Sequence, residues 1–230
     1  MTLSGVVSGP YSPPMLPNNL DPVAVRVIGS LIEKELSTPD NYPLSLNALT
    51  SACNQSSNRD PVMALEEGAV MQAIDILRRQ GLVRSIQAIG SRVPKYSHLL
   101  AETDELTRAE LAVLCVLALR GPQTQAEVRT RAARLMPGDD FTGIDAALEA
   151  LIAHEPTPVV ARLARRPGQK EPRYAHLLAG DVVESVDDAP VATPPNAPDR
   201  LAALEELANE LRNEVADLRA QLASFRKQFE

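Results

Sequence analysis

One stretch of eleven residues occurs twice in this 230-residue chain, and the distance between the copies limits its architecture more than any other feature. Gly90-Ser-Arg-Val-Pro-Lys-Tyr-Ser-His-Leu-Leu100 matches Gly168-Gln-Lys-Glu-Pro-Arg-Tyr-Ala-His-Leu-Leu178, with six identical positions, two Arg/Lys exchanges and an offset of 78 residues. Earlier segments align too: Leu20-Asp-Pro-Val with Leu106-Thr-Arg-Ala, and Pro43-Leu-Ser with Pro122-Gln-Thr. Solenoid repeats are about 20–50 residues long, so an offset of this size points to the duplication of a whole domain.

Each copy reads as three helices and a hairpin. In the first, Asp21-Pro22 supplies an N-cap and a first-turn proline, and Val23, Val27, Ile28, Leu31 and Ile32 follow at helical spacing. A short helix from Ser45 to Asn54 turns Leu46 and Leu49 inward, and a third from about Glu66 to Gln80 carries Val70, Ile74 and Leu77 and stops at Gly81. Residues 82–100 alternate around Gly90 and Pro94 as a hairpin with a basic tip. The second copy repeats the order with helices at 107–120, 124–135 and 141–154, the second opened by the capping box Thr124-x-x-Glu127, and a hairpin at 158–178. This order in about 80 residues is the winged-helix variant of helix-turn-helix. The expected class is mainly α with small β-hairpin wings (α+β): tandem winged-helix domains at 20–100 and 101–180, with a helical tail.

Local motifs agree. The first copy carries Pro-Leu-Ser-Leu-Asn-Ala-Leu at 43–49 and Ala-Cys-Asn-Gln-Ser-Ser-Asn-Arg-Asp-Pro-Val at 52–62. The second carries Leu-Arg-Gly-Pro-Gln-Thr at 119–124 and Arg-Thr-Arg-Ala-Ala-Arg-Leu at 129–135. In that order, with the two hairpin endings, these motifs resemble the bacterial YceH family over roughly residues 20–180. The resemblance implies a tandem winged-helix fold and brings no established activity; the leader, the acidic linker and the C-terminal helix are expected to be additions to the family pattern.

The flanks differ in composition from the repeats. Residues 1–19 have four prolines and no charge, which predicts a disordered leader. Residues 181–199 have four prolines, five acids and no base, the composition of an extended linker. The net charge of −7 argues against nucleic acid at first sight, since phosphate rewards positive charge. Most of that charge sits in the linker, however. Residues 20–100 carry eight acids and eight bases, and residues 101–180 eleven acids and ten bases.

The two cysteines, Cys53 and Cys115, lie at apolar helical positions and predict reduced thiols. No signal-like N-terminus is visible, and the longest apolar run, Leu111–Leu119, is too short to span a bilayer. A cytoplasmic protein without membrane contact is expected. Three scattered histidines and two distant cysteines offer no metal-ligand spacing, and no phosphate loop, nucleophile elbow or catalytic carboxylate pair is present. The chain therefore reads as a non-enzyme without a cofactor.

Residues 201–230 follow a strict heptad. Leu201, Ala208, Val215, Leu222 and Phe229 fill the a positions, and Leu204, Leu211, Leu218 and Phe225 fill the d positions. This predicts a coiled coil that makes the protein a homo-oligomer, dimer or trimer, since no polar a position selects between them. A helix folded back on its own domains is the alternative, although its seam is narrower than a core-facing stripe.

The hairpins carry most of the candidate binding residues: Arg84, Arg92 and Lys95 in the first copy, and Arg162, Arg165, Arg166, Lys170 and Arg173 in the second. Such cations can straddle DNA phosphates, or they can protect an edge strand against aggregation. Arg59, in the polar run 54–59, is a further phosphate candidate, against a reading in which that loop merely caps its neighbouring helices. The third helices argue the other way. Their outward residues include Glu66, Glu67, Gln72, Asp75, Arg78 and Arg79 in the first copy and Asp145 and Glu149 in the second, so carboxylates face the place where bases are met. His98 and His176 occupy equivalent places and read as packing residues at the base of each hairpin. Two functions remain open: a regulator that holds double-stranded DNA through basic wings, or a scaffold whose winged helices bind a protein partner, as in chromosome-condensation accessory subunits.

Overall fold

Asp21 starts the first helix. Its Oδ1 accepts hydrogen bonds from the amides of Val23 (2.8 Å) and Ala24 (2.9 Å), and Pro22 takes a first-turn position whose amide has no helical partner. The computed structural model describes residues 16–87, 93–136, 143–165, 169 and 171–181. Within them, α1 (Pro22–Ser37) is followed by a 3-10 turn (Pro39–Asn41), β1 (Leu44–Ser45), α2 (Leu46–Cys53), α3 (Glu67–Arg79), β2 (Val83–Ile86) and β3 (Lys95–His98). After a short α4 (Leu100–Thr103), the order recurs as α5 (Arg108–Arg120), β4 (Gln123–Thr124), α6 (Gln125–Ala133), α7 (Gly143–Ile152), β5 (Val160–Arg162) and β6 (Arg173–His176). The fold is thus α+β, with the helix, sheet and hairpin order of a winged helix appearing twice.

The duplication holds down to strand register. The two sheets have the equivalent orders β1-β3-β2 and β4-β6-β5, and every pair is antiparallel. Tyr96 lies opposite Leu44 and Tyr174 opposite Gln123, while His98 lies opposite Val83 and His176 opposite Val160. Both tyrosines are buried. The third strand of each sheet has only two residues, too few to leave an alternating pattern in the sequence. The helix ends follow local chemistry: Gly81 (φ 75°) and Gly121 (φ 70°) follow α3 and α5 with positive φ, a backbone region that glycine enters without a Cβ penalty. Capping boxes open α5 (Thr107 with Glu110) and α6 (Thr124 with Glu127).

The two halves do not keep separate cores. All residues from Ala24 to Glu33 are buried, as are all from Leu111 to Leu119, so α1 and α5 are enclosed on every side. They pack against each other at Gly29. A Cβ built there would lie 2.9 Å from Leu119 Cδ2 and 3.3 Å from Ala118 Cβ. The Cys115 thiol reaches the Gly29 carbonyl at 3.5 Å. Further ties cross between the halves: the Leu20 amide donates to the Leu178 carbonyl and the Asp60 amide to the Leu119 carbonyl, both at 2.8 Å. One hydrophobic cluster runs from Leu16 to Leu178, within one compact unit. Cys53 and Cys115 are free and buried, and burial pushes both thiols up from their ordinary range. No helix among the described residues is long and apolar enough to cross a membrane.

The Gly29 contact makes a direct prediction. Gly29→Val should force α1 and α5 apart and cost about 1–3 kcal/mol, the range for overpacking a close-packed core, measured as a lower urea midpoint. An unchanged midpoint would show that the helices can separate without loss.

Candidate nucleic-acid interface and the polar cluster beside it

The described hairpin cations differ in how free they are. Arg84, on β2, donates from Nε to Ser97 Oγ (3.1 Å) and pairs through Nη1 with Glu102 Oε2 (2.9 Å). Lys95, Arg162 and Arg165 are exposed, and no described carboxylate pairs with any of them. Arg173 is half-buried on β6, opposite Thr124. Arg92, Arg166 and Lys170 lie outside the described residues, as do the heptad positions Leu201, Leu204, Leu211, Val215, Leu218, Leu222, Phe225 and Phe229. In the first half, Arg78 and Arg79 of α3 and Arg84 of β2 line one groove of about 480 Å³ with Asp75, joining the basic end of the third helix to the hairpin.

The carboxylates of the third helices are only partly free. On α7, Asp145 is held by α6: Arg129 Nε donates to Oδ1 (3.2 Å), Arg129 Nη2 meets Oδ2, and Gln125 Nε2 donates to Oδ1 (3.1 Å). The hydrogen bond from Arg129 keeps this carboxyl below its ordinary range. The base that α7 lacks is thus supplied by α6, so the repulsion expected at Asp145 is cancelled locally. Asp75 pairs with Arg78 at 3.3 Å. Glu66, Glu67 and Glu149 remain exposed.

Arg59 does not present itself to a phosphate. Its side chain is wholly buried and its donors are committed within the chain. Nη1 and Nη2 grip Glu33 Oε1 (3.0 Å) and Oε2 (2.6 Å), Nε and Nη2 donate to the Ala52 carbonyl, and Nη2 also reaches Gln55 Oε1 (3.1 Å). The phosphate role expected for Arg59 is corrected on this point: the guanidinium pins its own loop to α1. Arg26, also buried, does the same by donating to the Cys53 carbonyl (3.1 Å) and the Pro61 carbonyl (2.6 Å). Burial opposes the charge on Glu33, but hydrogen bonds and attraction from Arg59, with Lys34 beside it, outweigh burial and hold its carboxyl below the ordinary range. Sequence reasoning missed Arg26 and Glu33. The signal was present, because Arg26, Ser30 and Glu33 recur at helical spacing as a polar stripe in an otherwise apolar helix.

The duplicated histidines sit at the base of each hairpin but in unlike surroundings. His98 is buried, with Nε2 against the Glu35 carboxylate, and its amide donates to Tyr42 Oη at 2.8 Å. Hydrogen bonding to His98 lowers the Glu35 carboxyl, with burial opposing. Among the described residues His176 has no such carboxylate, and burial pushes it down to about 4 from 6.5. Among the described residues no three His, Cys, Asp or Glu side chains converge as metal ligands.

Two predictions follow from these groups. Arg59→Ala leaves Glu33 buried without its partner and should cost about 3–5 kcal/mol in urea unfolding; the Glu33→Ala/Arg59→Ala double variant should cost less than the two single changes added together. For His176, the unfolded chain takes up a proton near pH 6.5 and the folded protein only near pH 4, so its contribution to stability is complete above 6.5 and falls as pH drops through that window. His176→Gln should flatten the fall in melting temperature between pH 7 and pH 4.5, and a variant whose fall matches the parent would refute the assignment.

The residues from 20 to 169 match the family described as protein of unknown function, DUF480. A UPF0502 protein of Pelobacter propionicus is 49% identical over 222 residues, covering 94% of this chain and 99% of its own length. One of Geobacter sulfurreducens is 50% identical over 219 residues, covering 92% and 98%, and one of Vibrio parahaemolyticus is 46% identical over 209 residues, covering 89% and 97%. Coverage of 94% carries the first match past residue 200 whichever end is left out. The alignment with that relative therefore runs through the acidic linker into the start of the heptad segment, whereas the family model itself ends at residue 169 and leaves the leader, the linker and the heptad segment outside its pattern. With half its residues identical across nearly the whole length of such relatives, the chain belongs to the DUF480 (UPF0502) family.

Proposed function

We propose that this protein is a cytoplasmic, non-enzymatic regulator of the YceH type that holds double-stranded DNA by its phosphate backbone. Lys95 of the first half and Arg162 and Arg165 of the second carry this reading: they are exposed cations on the two hairpins with no ion-pair partner among the described residues. Arg173 of β6 belongs to the second hairpin, and Arg92, Arg166 and Lys170, outside the described residues, are expected from the sequence to add to the same positive charge. Such contacts position a protein on a duplex without selecting a sequence. The groove formed by Arg78, Arg79 and Arg84 supports the reading in the first half, and neutralisation of Asp145 by Arg129 removes one objection in the second. The heptad tail at 201–230 would bring two or more copies together, so that weak backbone contacts add through avidity.

A protein scaffold is the second reading. It is favoured by Glu66 and Glu67, exposed at the N-terminal end of α3 where a recognition helix meets bases.

A salt titration with mixed-sequence duplex separates the two. DNA binding predicts log affinity falling linearly with log salt, by roughly 0.9 per phosphate contacted. Lys95→Ala, Arg162→Ala and Arg165→Ala combined should reduce that slope by about 3, and removal of residues 200–230 should weaken binding and give monomers on sedimentation. Absence of duplex binding at low salt would leave the scaffold.

A further inference from the structure

Three arginines meet in the second half, where the end of α6 packs by the end of α5. Arg120 is the last residue of α5, Arg131 lies in the last turn of α6, and Arg134 is its C-cap. All three line a pocket of about 90 Å³, with Glu33 and Asn58 of the first half and the apolar Cys115, Val116, Leu119 and Leu135 on its other walls. The same three also line an adjoining groove of about 440 Å³, with Glu127 and Thr130.

Their charge is poorly cancelled from within. Among the described residues the one hydrogen-bond partner of the Arg120 side chain is the neutral Asn58 Oδ1, and Asn58 sits in the left-handed conformation (φ 60°) that asparagine tolerates better than most residues. Arg131 meets Gln123 Oε1 and pairs with Glu127 Oε1 at 3.1 Å. Arg134 is exposed and makes no ion pair among the described residues. Glu33, on the wall, is committed to Arg59 (2.6 Å) and to Lys34 (3.4 Å). Among the described residues Glu127 is thus the one carboxylate ion-paired to the three guanidiniums. Burial lowers the Arg120 pKa, and repulsion from Arg131, Arg134 and Arg59 acts in the same direction against attraction from Asp60.

Guanidinium forks match phosphate oxygens in pairs, and several converging on a recess form a site that an anion completes. A terminal phosphate carries about −1.5 to −2 charge at pH 7, whereas each phosphodiester of a duplex carries a single charge and is displayed on a convex rod. We propose that the pocket binds the terminal phosphate of a small phosphorylated molecule, whose remainder lies along the groove. The walls come from both halves, so such a ligand would act at their junction. The inference does not rest on DNA binding.

Isothermal titration of the full chain with inorganic phosphate and with ADP, at constant ionic strength set by chloride, tests this. Saturable binding at one site per chain is expected. Arg134→Glu, a surface change that should leave the melting temperature intact, and Arg120→Gln should each weaken it at least tenfold, while the Lys95/Arg162/Arg165 alanine variant should leave it unchanged. Absence of saturable binding of both ligands, or binding indifferent to Arg134→Glu, would overturn the proposal. It would equally be overturned if Arg134→Glu abolished duplex binding and neither small ligand bound, since the pocket would then belong to a DNA surface. Phosphate binding that persists where no duplex binds would support the pocket and refute only the DNA reading.

Discussion

The close approach of α1 and α5 at Gly29 sets the arrangement of nearly everything else. Because no Cβ stands there, Leu119 and Ala118 can press against the α1 backbone, and two helices buried on all sides share one core. Full burial of a side chain such as Leu31, Ile32, Leu114 or Leu117 contributes roughly 1.5–3 kcal/mol, against about 0.2–1 kcal/mol for an exposed ion pair such as Asp75–Arg78. Burial therefore decides how the halves sit. The same contact brings the loop after α2 against the end of α5, where the Asp60 amide meets the Leu119 carbonyl and Asn58 meets Arg120.

A polar stripe inside that core gives the loop its position. Arg26 and Arg59 are buried guanidiniums held by backbone carbonyls and, for Arg59, by a two-pronged grip on Glu33. Desolvating such groups is expensive, and an apolar replacement of the pair would cost the fold little or even stabilise it. What the charges add is direction. A guanidinium with its donors distributed over Ala52, Asn58 and Glu33 accepts one path of the chain, and that path places Asn58 at the arginine pocket.

The duplicated halves have diverged where chemistry is concerned. Tyr96 and Tyr174 keep the same register and the same burial, as a shared packing role requires. The histidines keep their register but not their partner: His98 faces Glu35, while His176 is held neutral by burial alone. On the third helices, Asp75 is paired within its own helix and Asp145 with the neighbouring α6. The first half joins Arg78, Arg79 and Arg84 in one groove, whereas the second gathers Arg120, Arg131 and Arg134 into another.

The sequence by itself determined the local structure. The Asp21 cap, the Thr124 capping box, the stop at Gly81 and the strands around the repeated Pro-x-Tyr-x-His segment were all legible, because each depends on residues within a few positions of one another. The short strands β1 and β4 were not, since two residues carry no period and their pairing is made by β3 and β6, about fifty residues further along. Tertiary structure alone decided which cations are available. Arg59 and Lys95 are both bases in polar stretches, yet one is sealed against Glu33 and the other faces solvent. Arg120, Arg131 and Arg134 became a cluster only when α6 folded against the end of α5. Burial and charge pairing are sums over neighbours distant in the chain, so neither can be read from a residue and its local sequence.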